Sequence, residues 1–172
     1  MSHARVFVAL SFPHDVCDAI ARDAHVLNRY DPLARFVPSQ NLHLTLAFLG
    51  EVPLARARLL AAALRPLAVH TPREIALGRV GTFDRSRVLW VDLSPWESLT
   101  PVVHEVRAVL QRLELSYDTK PFKAHITLAR DWRRGVPPVS LPNRKFPLLG
   151  PMVFESTQDP RTNAIRYRQI LP

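Results

Sequence analysis

The chain has 172 residues, 47% of them hydrophobic, and a formal net charge of +8. That length suits one sizeable domain or two small lobes on a shared core, and no apolar run is long enough to span a bilayer as a helix. The single Cys17 rules out an internal disulfide framework. The positive balance favours an anionic partner, nucleic acid first, although there is no dense Lys/Arg block beyond doublets such as Arg133-Arg134.

In chain order, Arg5-Val6-Phe7-Val8-Ala9-Leu10-Ser11-Phe12 reads as a buried first strand. It begins without the long apolar stretch of a secretory leader, so a cytoplasmic protein is expected. Pro13 starts a helix that runs to about Tyr30, with Val16, Ala19, Ile20 and Leu27 on one face. A strand over Asn41–Leu49 follows and ends at Gly50. Pro53 opens a second helix on which Leu60, Ala63, Leu64 and Leu67 recur, with Arg56, Arg58 and Arg65 toward solvent. Glu74–Val80 and Arg87–Leu93 read as a strand pair joined by a turn over Gly81–Arg85. Ser94-Pro95-Trp96-Glu97 has the form of a helix start, with Ser at the N-cap, Pro first and Glu third. Val102, Val103, Val106, Val109, Leu110 and Leu113 form the apolar stripe of that third helix. Lys123–Ala129 is a strand, Trp132–Phe146 a loop, and Met152–Ser156 with Ala164–Ile170 a closing antiparallel pair.

Within this order a four-residue motif is doubled. His43-Leu44-Thr45-Leu46 reappears as His125-Ile126-Thr127-Leu128, each time on a strand preceded by a helix. This suggests two related halves whose motif strands face each other. In a strand, residues two apart share a face, so each copy sets an imidazole beside a hydroxyl. Leu42, Leu44, Leu46 and Phe48 form the opposite, apolar face of the first copy, as Ile126 and Leu128 do in the second.

A single His-x-Thr on a strand is more often a satisfied polar pair than a catalyst; two copies in matching surroundings are harder to dismiss. Two imidazoles with ordinary pKa near ~6.5 can act as general base and general acid on one phosphodiester. Hydroxyls beside them can donate to the non-bridging oxygens. Zinc chemistry lacks support, because the three or four clustered ligands it requires are missing from the motif pattern. No glycine-rich phosphate loop is present, with five Gly in all. Arg130 and Lys123 are the nearest basic residues. Strict alternation puts Arg130 on the face opposite His125 and Thr127, and it reaches their side only if the strand ends or bulges near Ala129. Phe36, Phe83 and Trp90 are aromatic residues able to stack on a base, though packing roles are commoner.

These segments, from Val6–Leu10 through Asn41–Val52, Arg85–Trp90 and Pro121–Arg130 to Glu155-Ser156 and Arg166-Tyr167, resemble the two-histidine (2H) phosphoesterases. Within that family they are most similar to the bacterial RNA 2′,3′-cyclic phosphodiesterase branch of LigT type, formerly called 2′-5′ RNA ligase. The resemblance implies an α+β, bilobed fold over residues 1–172 as a single catalytic domain. It would have two mostly antiparallel sheets flanked by helices, a pseudo-twofold, and the His-x-Thr strands lining a central cleft. It implies hydrolysis of a terminal 2′,3′-cyclic phosphate to a 2′-phosphate without metal or other cofactor. On the family pattern His43 protonates the departing 3′-oxygen, His125 activates water, Thr45 and Thr127 hold the phosphate, and Arg130 contacts it. The expected partners are RNA ends or nucleotides bearing 2′,3′-cyclic phosphate, met by a monomer away from any membrane. The alternatives are 2′-5′ RNA ligation, which runs the same chemistry backwards, and a non-catalytic RNA- or nucleotide-binding module.

Overall fold

In the computed structural model, which describes residues 2–172, alternating apolar runs become strands and the 3.6-period stripes become helices. In chain order the elements are β1 (His3–Ser11), α1 (His14–His25), β2 (Arg35–Phe36), β3 (Leu44–Pro53), α2 (Leu54–Leu64), β4 (Ile75–Phe83), β5 (Val88–Ser94), α3 (Thr100–Arg112), β6 (His125–Arg130), β7 (Lys145–Phe146), β8 (Leu149–Gln158) and β9 (Ile165–Ile170). They form two sheets, ordered β3-β1-β8-β9 and β2-β6-β5-β4-β7, with every pairing antiparallel. This is the two-sheet α+β architecture expected for the LigT-like fold.

The two halves repeat one unit. In β1–α1–β3 and again in β5–α3–β6, a buried strand leads through a helix to an antiparallel motif strand beside it. The strand sets β3-β1-β8-β9 and β6-β5-β4-β7 therefore correspond, and β2 is an added edge. That edge comes from the first half: Arg35 and Phe36 pair with Arg130 and Ala129, and the Val37 amide donates to the Leu128 carbonyl at 2.8 Å. β3 and β6, the two strands that carry the doubled motif, lie in contact with each other across the two sheets.

The outer faces carry the helices. On α2, Ala57, Leu60, Ala61 and Leu64 are buried at helical spacing against β1, β3 and β8. On α3, Val102, Val103, Val106, Val109 and Leu110 are buried. One continuous apolar core takes in residues of both sheets and all three helices. Cys17 is one of its small members, its thiol turned to the Phe12 carbonyl.

Several boundaries differ from the sequence expectation, each for a local reason. β3 does not stop at Gly50. Val6 pairs with Gly50 and Phe7 with Phe48, so Leu49 is extruded as a bulge, and Gly50 at φ +76° absorbs the bend as glycine does. Ser94 is the last residue of β5 rather than a helix cap; a 3-10 turn over Trp96–Leu99 intervenes before α3. The first helix ends at His25 and continues as a 3-10 turn over Val26–Arg29. β4 runs on to Phe83, so its turn is shorter than expected, and the 132–146 loop ends in the short β7 against β4.

Candidate active site

Each motif strand carries a bulge at the same place. In the first copy Ala9 pairs with Thr45 and Val8 with Ala47, skipping Leu46. In the second Trp90 pairs with Thr127 and Leu89 with Ala129, skipping Leu128. An extra residue in one strand reverses the alternation beyond it. Leu46-Ala47 and Leu128-Ala129 are consequently buried as neighbours, and the residue after each pair returns to the cleft face. That residue is Phe48 in one half and Arg130 in the other. Phe48 therefore leaves the apolar face assigned to it by strict alternation, and Arg130 joins the side of His125 and Thr127 through the bulge that its entry into the cleft requires.

The two imidazoles are held alike. His43 stands just before β3, where its Nδ1–H donates to the Asn41 carbonyl at 2.7 Å. His125 opens β6, and its Nδ1–H donates to the Lys123 carbonyl at 2.7 Å. With Nδ1 carrying the proton, Nε2 of each neutral ring is the free base. In His43 that nitrogen accepts from the Thr45 hydroxyl at 3.0 Å. Asn41 is itself buried and pinned, its amide donating to the Ile165 carbonyl on β9 at 2.8 Å.

Aromatic rings wall both sites. Phe7 and Tyr167 lie 4.9 and 5.0 Å from the His43 ring, centroid to centroid. Phe83 lies 5.1 Å from the His125 ring and Trp90 6.5 Å. The Lys123 ammonium rests 4.0 Å from the Trp90 centroid and 4.9 Å from that of Phe83. Trp90 fits there because β4 has no side chain opposite it: a Cβ on Gly81 would sit 2.3 Å from the indole.

These surroundings shape the charges. Burial pushes His43 down to about 4, and the nearby Arg130 and His125 charges push the same way. Burial also lowers His125, as do Lys123 and Arg130. Each ring thus responds to Arg130, and His43 responds to His125, so the three groups share one electrostatic neighbourhood. Among the described residues, no group of three or more His, Cys, Asp or Glu side chains gathers as a metal site would require.

The fold thus brings His43, His125 and Arg130 within electrostatic reach of one another, with Thr45 and Thr127 two residues along the chain from the two histidines. Sequence reading did not single out Asn41, Phe7 or Tyr167 as parts of the site. Asn41 had a readable signal, standing two residues before His43 as Lys123 stands before His125. Tyr167 had none, because β9 reaches His43 only through the sheet order. Phe83 and Trp90 pack, as the commoner reading had it, but they pack against His125.

A family model described as the 2′-5′ RNA ligase superfamily matches residues 13–135. The RNA 2′,3′-cyclic phosphodiesterase of Geobacillus stearothermophilus is 30% identical over 141 residues, which are 80% of this chain and 45% of that protein. The chain thus spans less than half the length of that relative. The protein of the same name from Escherichia coli K12 is 34% identical over 132 residues, 74% of this chain and 72% of its own. Among solved structures, E. coli LigT complexed with ATP superimposes with a TM-score of 0.74 at 28% identity, covering 98% of this chain and 95% of that one. E. coli LigT complexed with 3′-AMP gives 0.73 at 27% identity, with the same coverage.

Proposed function

This chain belongs to the 2′-5′ RNA ligase superfamily, and on that premise we propose that it is an RNA 2′,3′-cyclic phosphodiesterase opening terminal cyclic phosphates to 2′-phosphates. The observation that carries the reading is the matched pair of imidazoles, each with Nδ1–H anchored to the carbonyl two residues back. Both Nε2 atoms are thereby left for proton transfer.

In this reading water attacks phosphorus from the His125 side. Its proton passes to His125 Nε2, the new O–P bond forms, and the P–O3′ bond breaks. His43 Nε2–H gives its proton to the departing 3′-oxygen, leaving the phosphate on O2′. Each transfer contributes on the order of 10²–10⁴ in rate. The Thr45 hydroxyl turns from His43 Nε2 to a non-bridging oxygen, Thr127 donates to the same group, and Arg130 balances the charge that builds there. Both protons are moved by side chains, so no metal or cofactor enters the scheme. The whole span 1–172 acts as one bilobed catalytic domain, a monomer in the cytoplasm, on RNA ends or nucleotides. Ligation would use a ribose 5′-hydroxyl in place of water; hydrolysis is favoured because water is in vast excess.

The test is chromatography of the products from a 2′,3′-cyclic nucleotide with EDTA present. The 2′-phosphate should be the sole product, and His43→Ala and His125→Ala should each abolish nearly all turnover while remaining folded. A 3′-phosphate product, or near-normal turnover by His43→Ala, would overturn the mechanism.

A further inference from the structure

The doublet Arg133-Arg134 has no part in the chemistry at the imidazoles, yet it follows directly on the end of β6, three and four residues beyond Arg130. Three strands end there side by side. Arg35 pairs with Arg130 on one flank, and Val88, next to Arg87, pairs with Arg130 on the other. Neighbouring strands lie about 4.8 Å apart, so Arg35, Arg130 and Val88 stand in a row, with Arg87 one residue beyond Val88 in the turn before β5. The Trp132 amide then donates to the Arg87 carbonyl at 3.0 Å, and the Arg133 amide to the Asp31 carboxylate at 2.7 Å. These bonds fix the backbone from which Arg133 and Arg134 project into solvent. Arg87, Arg133 and Arg134 line a groove of about 390 Å³. Arg35 and Arg130 line another, of about 230 Å³, which also includes Tyr167 of the His43 wall.

Three carboxylates stand among these guanidiniums, one of them the buried Asp31 that accepts from the Arg133 amide. Asp131 binds Arg35 Nε at 2.6 Å and is held below the usual carboxylate range by that bond, with Arg87 and Arg133 adding to it. Asp84 shares the larger groove. Five arginines against three aspartates leave the rim net positive, and a single reacting phosphate at Arg130 uses only one of the five.

We propose that this rim is a docking track for the RNA strand lying 5′ to the cyclic phosphate, which makes an oligoribonucleotide end the preferred substrate over a mononucleotide. The inference rests on the cyclic-phosphodiesterase reading above, because a ribose held in the cleft must continue into a chain of phosphates. Planar guanidiniums suit such phosphates through paired N–H donors, and the track begins where the reacting phosphate ends.

The test uses the double variant Arg133→Gln, Arg134→Gln, whose side chains are exposed. Its kcat/KM is compared with that of the unaltered protein on a 2′,3′-cyclic mononucleotide and on a single-stranded oligoribonucleotide with the same cyclic end, at 50 and 200 mM salt. In parallel, fluorescence anisotropy follows binding of the oligonucleotide ended in 2′-phosphate. The oligonucleotide KM of the variant should rise roughly tenfold at the lower salt, and its log–log salt slope should flatten by about 1.4, or ~0.7 for each phosphate that an arginine no longer neutralises. Turnover of the mononucleotide should not change. Equal losses on both substrates, or an unaltered salt slope, would overturn the track. If neither substrate is turned over, the enzymatic reading fails by itself, and the anisotropy slope still decides the track: flattened in the variant supports it, identical in both refutes it.

Discussion

Filling the cleft with a phosphate anion should restore the proton that His43 lacks in the free protein. Burial, Arg130 and His125 hold that ring at about 4, so at pH 7 only about one ring in a thousand carries the proton it must donate. An anion bound by Thr45, Thr127 and Arg130 would lie roughly 4 Å from the imidazolium, and at an effective dielectric of ~20 that attraction is about 4 kcal/mol. Returning the ring from about 4 to its ordinary value near ~6.5 takes roughly 3 kcal/mol. The phosphate also offsets the Arg130 charge that opposes protonation. The magnitudes match, so bound product should make His43 titrate near neutrality. The assay is a pH titration of imidazole proton resonances by NMR, free and saturated with adenosine 2′-phosphate, using loss of the signal in His43→Asn for assignment. A free-protein value already near ~6.5, or a ring that product leaves unmoved, would refute the reasoning. The alkaline limb of kcat should likewise lie above that of kcat/KM, because the former reports the complex and the latter the free enzyme.

Stability should fall with acidification. Both histidines are lowered on folding, so between ~6.5 and the folded values the unfolded chain binds more protons; for His43 this costs the fold about 3 kcal/mol once the pH is below 4. Urea midpoints from pH 7 to pH 4 should drop accordingly and drop less in His43→Asn; an equal drop in both would contradict the assignment. Arg130→Ala should lower kcat/KM on the order of 10²-fold without moving the melting temperature, since the side chain is exposed and serves the developing charge. Gly81→Ala should displace Trp90, costing about 1–3 kcal/mol of stability and lowering turnover through the wall behind His125. A variant with unchanged melting and kinetics would show that the close Gly81–Trp90 approach is not needed.

The doubled motif, the helix stripes and the order of the main strands were legible in the sequence because each rests on local periodicity. The bulges at Leu46 and Leu128 were not, since register is decided between strands and not along one. They decide which way Phe48 and Arg130 face, so simple alternation misplaced the former and would have excluded the latter. The consecutive apolar pairs Leu46-Ala47 and Leu128-Ala129 are the trace such a bulge leaves. Ser94-Pro95 carried a capping pattern that pairing with Ala76 in β4 overrode. The edge strand β2 pairs through only two residues, too few for any pattern. Tyr167 comes to His43 across a sheet whose strands are far apart in the chain, a proximity invisible to local reading.

The most direct measurement is a crystal structure of the chain with a nucleoside 2′-phosphate bound. The phosphate should lie between the rings, with His43 Nε2 and His125 Nε2 each within about 3 Å of a different phosphate or ribose oxygen, on opposite sides of phosphorus. A phosphate seated elsewhere, or reached by only one of the two imidazoles, would contradict the shared-phosphorus chemistry.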